Sequence, residues 1–257
     1  MALTPLLLLH GFTGGPASFE PLCPFLENHF NITRLTLPGH GAAPPAQGTF
    51  EQVVDSLAHG IPQPTIVHGY SMGARLALAL ALRHPTRVLA LSLESGSPGL
   101  PTEREREVRR GDDEELAERI LSHGLEAFMA QWERQPLFAS LVRLPEALKA
   151  HIAQLRRSHS AAGLASVLRQ LGLGSQPSYW DRLGRLGMPV QLITGAEDQK
   201  FTTTAQRMAA LIPGARHVVI HDCGHAPHLE HPAQLAQLII NHTGGRHEVQ
   251  LDQSPRI

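Results

Sequence analysis

The sequence predicts an α/β protein: a mainly parallel sheet flanked by helices, with an inserted helical cap. Three observations carry that prediction. Short apolar runs recur along the chain, amphipathic stretches fall between them, and this alternation stops between about Gly99 and Arg185. Alternating strand and helix patterns give a parallel sheet covered on both faces.

Taken in order, Pro5 to Leu9, Ile32 to Leu37, Thr65 to His68, Val88 to Leu93, Val190 to Thr194 and His217 to Ile220 read as buried strands. Ala17 to His29, Phe50 to His59, Met72 to His84, Thr203 to Leu211 and Ala233 to Asn241 carry apolar residues at helical spacing. The interruption begins at Pro98-Gly99. Glu103 to Glu118 is heavily charged, and Leu121 to Trp132 and Ala147 to Leu171 read as amphipathic helices. Pro136 and Pro145 punctuate the segment, and Gly184, Gly187 and Pro189 mark its exit. The expected organisation is a core of residues 1–99 and 186–242, a helical cap of residues 100–185, and a loose, polar tail of residues 243–257. Few residues precede the His10-Gly11 turn, so the antiparallel edge strands common in this architecture are absent or the chain start is truncated.

The chain has 257 residues, with 22 basic and 23 acidic side chains and a net charge of -1. No block of one sign occurs, which argues against nucleic acid or a polybasic membrane contact as partner. Cys23 and Cys223 stand far apart, outside any CxxC pattern, so neither a disulfide framework nor a thiolate zinc site is expected. No apolar run is long enough to span a bilayer, and Leu6 to Leu9 lacks the basic flank of a signal peptide. A cytoplasmic location is expected.

Gly69-Tyr70-Ser71-Met72-Gly73 matches G-x-S-x-G, follows a strand pattern and opens a helical one. A serine hydroxyl is a weak nucleophile and a weak base. It needs a neighbouring imidazole, itself oriented by a carboxylate. Asp198 follows the fifth strand pattern and His225 the sixth, giving the chain order Ser, Asp, His. Glu197 and Asp222 are rival acids that read more simply as solvated turn residues. His221 and His225 are four apart, but Gly224 and Pro227 interrupt the helix a metal site of that spacing requires, so no metal is expected. His10-Gly11-Phe12, followed by Gly14-Gly15, suits a loop whose amides face a developing anion, with the Phe12 and Met72 amides forming the hole.

Arginines are frequent between Arg104 and Arg185, but acids are comparably frequent there, so the count signals only a solvated surface. Two arginines presented over a serine would nevertheless favour a polyanionic substrate, because guanidinium pairs with carboxylate in a planar, bidentate way.

These residues resemble the α/β-hydrolase superfamily, through Leu9-His10-Gly11-Phe12-Thr13-Gly14, Leu37-Pro38-Gly39-His40-Gly41 and Gly69-Tyr70-Ser71-Met72-Gly73-Ala74-Arg75. Within it they closely resemble the 2-succinyl-6-hydroxy-2,4-cyclohexadiene-1-carboxylate synthases of menaquinone biosynthesis. The narrower likeness rests on Glu94 to Leu100, Arg106-Glu107-Val108-Arg109, Trp132 with Gln135 to Leu141, Gly172 to Ser178, and Gly195 to Phe201. The resemblance implies a lyase that expels pyruvate from a polycarboxylate ring, with no cofactor. It further implies Ser71 as base, His225 as its proton acceptor, Asp198 as the orienting acid, and Arg109 as a carboxylate clamp. A second clamp falls at Arg156, or at Arg157 by a one-residue slip, while Tyr70 and Trp132 line the pocket. The same triad also serves a serine carboxylesterase or carbon–carbon hydrolase, and a non-catalytic receptor on this scaffold is a third reading.

Overall fold

The computed structural model describes residues 3–244. Six strands form one sheet: β1 (Thr4–Leu9), β2 (Phe30–Leu35), β3 (Thr65–Tyr70), β4 (Val88–Glu94), β5 (Val190–Gly195) and β6 (Arg216–Ile220). Every neighbouring pair is parallel, in the order β2-β1-β3-β4-β5-β6. Eight helices accompany it among the described residues: α1 (Phe50–His59), α2 (Met72–Arg83), α3 (Glu103–Trp132), α4 (Glu146–Arg157), α5 (Ala161–Leu171), α6 (Gln199–Leu211), α7 (Pro227–Glu230) and α8 (Pro232–Gly244). None is long and apolar enough to cross a membrane.

The four leucines of β1 show why the strand patterns are uninterrupted. Leu7 and Leu9 pack into the cluster that contains α2, while Leu6 and Leu8 face the opposite cluster, with Phe19 and Ile239. Side chains alternate across a strand, so a sheet covered on both faces needs apolar residues at every position. Each buried leucine contributes about 1.5–3 kcal/mol.

Five details differ from the sequence expectation. Ala17 to His29 is two short 3-10 turns, Pro16–Phe19 and Cys23–Phe25, rather than a helix. Pro21 and Pro24 cannot donate the hydrogen bonds a helix interior requires. The second strand ends at Leu35 instead of Leu37, because the Leu37 N–H donates to His10 Nε2 at 3.1 Å and Pro38 follows. The charged Glu103 to Glu118 stretch and Leu121 to Trp132 form one 30-residue helix, broken only at Gly124, whose φ of 84° permits the kink. Ala147 to Leu171 is two helices, with the Ser160 side chain accepting the Gly163 N–H to start the second. At the end of the chain, α8 carries through Thr243 and Gly244, so these two are helical rather than part of a tail. The remainder of the expected tail, 245–257, lies outside the described residues.

The segment between β4 and β5 contributes α3, α4 and α5, and α3 and α5 share an apolar cluster that includes Ile120, Met129 and Leu164. Three histidines tie it to the sheet. His159, between α4 and α5, accepts the Gly41 N–H at Nδ1 and donates from Nε2 to the Thr13 carbonyl, both at 2.9 Å. Its ring meets His40, which meets His10, with centroids 5.2 and 4.7 Å apart. Burial brings the His10 pKa down to about 4 and, with the neighbouring imidazoles, holds His40 well below 6.5; burial also lowers that of His159.

The folded chain therefore resists protonation that the unfolded chain accepts, so the stability this cluster contributes is present above about pH 6.5 and is lost as the pH falls towards 4. The urea midpoint is expected to drop between pH 7 and pH 5 by an amount equivalent to at least ~1 kcal/mol. In His159→Asn the slope should be smaller. A wild-type midpoint that is flat over this range contradicts the prediction.

Candidate active site

Ser71 sits at the junction of β3 and α2 with φ 52° and ψ −108°, a region costly for a residue with a side chain. Its N–H donates to the Glu94 carbonyl at 2.8 Å. The turn fits only because its flanking residues are small. A Cβ on Gly69 would strike the Gly73 peptide, and one on Gly73 would strike the carbonyl of Leu9.

Asp198 lies just past β5 and caps α6, with Oδ1 accepting the Phe201 N–H at 3.3 Å. Oδ2 accepts the His225 Nδ1–H at 2.6 Å, and His225 Nε2 lies 3.0 Å from Ser71 Oγ. Asp198 and His225 are both buried. With Nδ1–H committed to the carboxylate, Nε2 is the acceptor that faces the serine hydroxyl.

The rival groups are engaged elsewhere. Glu197 pairs with Arg143 at 2.9 Å, and Asp222 is exposed and lends its peptide oxygen to Arg143 and His231. His217 bonds Thr194, His228 bonds Glu94, and His221 is exposed. No group of three side chains that could hold a metal ion occurs among the described residues.

A cavity of about 600 Å³ opens over Ser71, bounded by Phe12, Met72, His225, Arg109 and Trp132 among others. Trp132 meets Phe12 edge-on at 5.2 Å and stacks on Phe128 at 5.5 Å. Its buried indole Nε1 has no hydrogen-bond partner among the described residues. Tyr70 lines the same cavity, its ring 5.4 Å from that of His225. Met72 is the first residue of α2, where a backbone N–H has no acceptor within the helix.

The arginines divide sharply. Arg109 lines the cavity and is anchored by Asp113, Nε to Oδ1 at 2.7 Å. Arg156 does not line it. Its guanidinium lies 4.7 Å from the centroid of the Phe138 ring, in a neighbouring cleft of about 490 Å³ that shares Gln135 and Phe138 as walls. Its side chain is 12% exposed, and burial lowers its pKa against the opposing pull of Tyr70 and Glu133. Arg157 is 35% exposed and committed to Glu126 and Glu133 on the surface.

Two cations that the sequence reading passed over also line the cavity: Arg75 and Lys200. Arg75 donates to Gln176 Oε1 at 2.9 Å and to the Leu171 carbonyl at 2.8 Å. Burial, and then the charge of Arg109, bring its pKa down to about 10. Their signal was available. Arg75 lies four residues after Ser71, one turn up the same helix face, and Lys200 lies two residues after Asp198.

The parallel sheet and the serine turn define a protein of α/β hydrolase type. The family model for the alpha/beta hydrolase fold matches residues 4–232. More narrowly, the chain is 40% identical over 240 residues to a Bacillus subtilis (strain 168) protein provisionally named 2-succinyl-6-hydroxy-2,4-cyclohexadiene-1-carboxylate synthase, covering 90% of this chain and 87% of the relative. It is 33% identical to the enzyme of that name from Enterobacter sp. (strain 638), covering 90% and 88%. Among solved structures, MenH from S. aureus superposes with a TM-score of 0.92 at 30% identity, covering 96% of each chain. An esterase from Thermogutta terrifontis, in a malate-bound structure, gives 0.77 at 26% identity, covering 96% and 91%. The chain belongs to the 2-succinyl-6-hydroxy-2,4-cyclohexadiene-1-carboxylate synthase family within the α/β hydrolases.

Proposed function

We propose that this protein eliminates pyruvate from 2-succinyl-5-enolpyruvyl-6-hydroxy-3-cyclohexene-1-carboxylate, in menaquinone biosynthesis, to give 2-succinyl-6-hydroxy-2,4-cyclohexadiene-1-carboxylate. One observation carries the reading: the Ser71–His225–Asp198 relay opens onto the cavity that also holds Arg75 and Arg109. Two guanidiniums on one cavity, with the charge of Arg109 helping to lower the pKa of Arg75, suit a ligand with several carboxylates.

In this reading Ser71 Oγ takes the proton from ring carbon 2, next to the succinyl ketone, as its own hydroxyl proton passes to His225 Nε2. Asp198 stabilises the imidazolium that results. The electron pair moves into the ring, C3=C4 shifts, and the C5–O bond to the enolpyruvyl group breaks, leaving a 2,4-diene. The departing enolate is protonated to pyruvate from the relay, so no water is consumed. The Phe12 and Met72 amides face the ketone oxygen as it gains charge. Arg75 and Arg109 hold carboxylates, Tyr70 and Trp132 bound the ring, and Arg156 serves an acidic arm that reaches the neighbouring cleft. Residues 1–99 and 186–242 form the working core under a cap of residues 100–185. A cytoplasmic setting completes the reading, supported by the two unpaired cysteines.

An esterase acting through an acyl-enzyme is the second reading, because the same relay serves it and an esterase is among the structural neighbours. The discriminating experiment generates the enolpyruvyl substrate in situ and follows diene absorbance together with pyruvate. Equimolar products are expected, with Ser71→Ala lowering kcat by ~10³-fold or more. Arg109→Lys, which keeps charge and loses the planar fork, should raise KM in the same assay. No acceleration over the spontaneous reaction by a folded sample, alongside burst kinetics on an activated ester, would move the protein to the second reading.

A further inference from the structure

Behind the relay lies a buried ionised group that the proposed chemistry does not use. Glu94 ends β4, opposite Tyr70 in the sheet register, and its side chain is fully enclosed. Oε1 accepts both the backbone N–H of His228, at 3.0 Å, and its Nδ1–H, at 2.7 Å. Oε2 accepts the His68 Nε2–H at 3.0 Å, and His68 Nδ1 accepts the Ser92 hydroxyl proton at 3.0 Å. Burial alone would raise the Glu94 pKa, yet His228 and His68 outweigh it and hold the carboxyl at about 2.

The same residue also grips the serine turn, through its peptide oxygen and the Ser71 N–H. His228 lies three residues past His225, on the turn that carries the imidazole. The far side of that turn is fixed separately: Glu230 accepts the N–H groups of Gly224 and Ala226, which flank His225. The two halves of the relay therefore converge on one side chain and its own peptide.

We propose that Glu94 is a positioning residue that sets the distance between Ser71 Oγ and His225 Nε2, its carbonyl fixing the serine turn and its carboxylate fixing the histidine turn through His228. The inference rests on the relay reading above. Both bonds to His228 use a single oxygen, so a glutamine can retain them, while its amide N–H is accepted by His68 once that ring moves its proton to Nδ1 and donates to Ser92. Glu94→Leu loses all three.

The test uses the full chain and two readouts: pyruvate release, and the rate at which a fluorophosphonate labels Ser71, which requires serine activation and no knowledge of the substrate. Glu94→Gln is expected to stay within about threefold of the parent in both. Glu94→Leu should lower kcat and the labelling rate at least tenfold, with KM within about twofold. His228→Leu against His228→Asn, which keeps a side-chain donor, repeats the comparison from the other partner should Glu94→Leu fail to fold. A folded Glu94→Leu or His228→Leu variant that labels at the parent rate overturns the inference. So does a Glu94→Gln variant as impaired as Glu94→Leu, which would assign the effect to charge rather than placement. A parent protein labelled at Ser71 but unable to release pyruvate overturns only the substrate assignment, and one that is never labelled overturns the relay and this inference together.

Discussion

A 3.0 Å hydrogen bond joins Ser71 to His225 across 154 positions of the chain. Each end is held against a cost. Ser71 occupies a strained backbone conformation, and His225 is removed from water beside a buried carboxylate. The parallel sheet is what offsets these costs. Its strands deliver the serine from β3, the carboxylate from the end of β5 and the imidazole from beyond β6 to one edge, and its apolar runs bury both faces while doing so.

The second constraint is electrostatic. Arg75, Arg109 and Lys200 gather around one cavity, with Asp113 as a counter-charge on Arg109. Burial, and then the charge of Arg109, work against the ionisation of Arg75, and a ligand carrying several carboxylates offsets both. The relay alone does not separate elimination from hydrolysis, since both need an activated serine. In the proposed reaction the distinction lies in what the cations hold over it: a ring carbon with an acidic hydrogen in place of an ester carbonyl.

Much of this was legible in the sequence because it is local. G-x-S-x-G between a strand and a helix pattern, and Asp198 and His225 after later strand patterns, identify residues that the fold brings within hydrogen-bonding distance. Phe50 to His59 was readable from its apolar spacing as a helix to the residue, and in the structure a capping box at Thr49 and Gln52 opens it. What was not legible depends on packing. Ala17 to His29 has helical apolar spacing, but the donors missing at Pro21 and Pro24 decide its conformation. The pattern could not distinguish Arg156 from Arg157 either. Their side chains leave α4 about 100° apart, one under Phe138 and the other towards surface acids, and only the position of the neighbouring helices determines which is which. Arg75 was visible in the motif but lacked a partner to give it meaning until Gln176 and Leu171 met it from the far end of α5.

In the proposed reaction Ser71 acts as a base towards carbon and never becomes acylated. The most direct test is turnover of substrate carrying deuterium at ring carbon 2, with the intact mass of the protein recorded during the steady state. A primary isotope effect on kcat/KM and an unmodified protein mass are expected. A covalent adduct on Ser71 that forms and decays at the turnover rate, with no isotope effect, would contradict this role of Ser71.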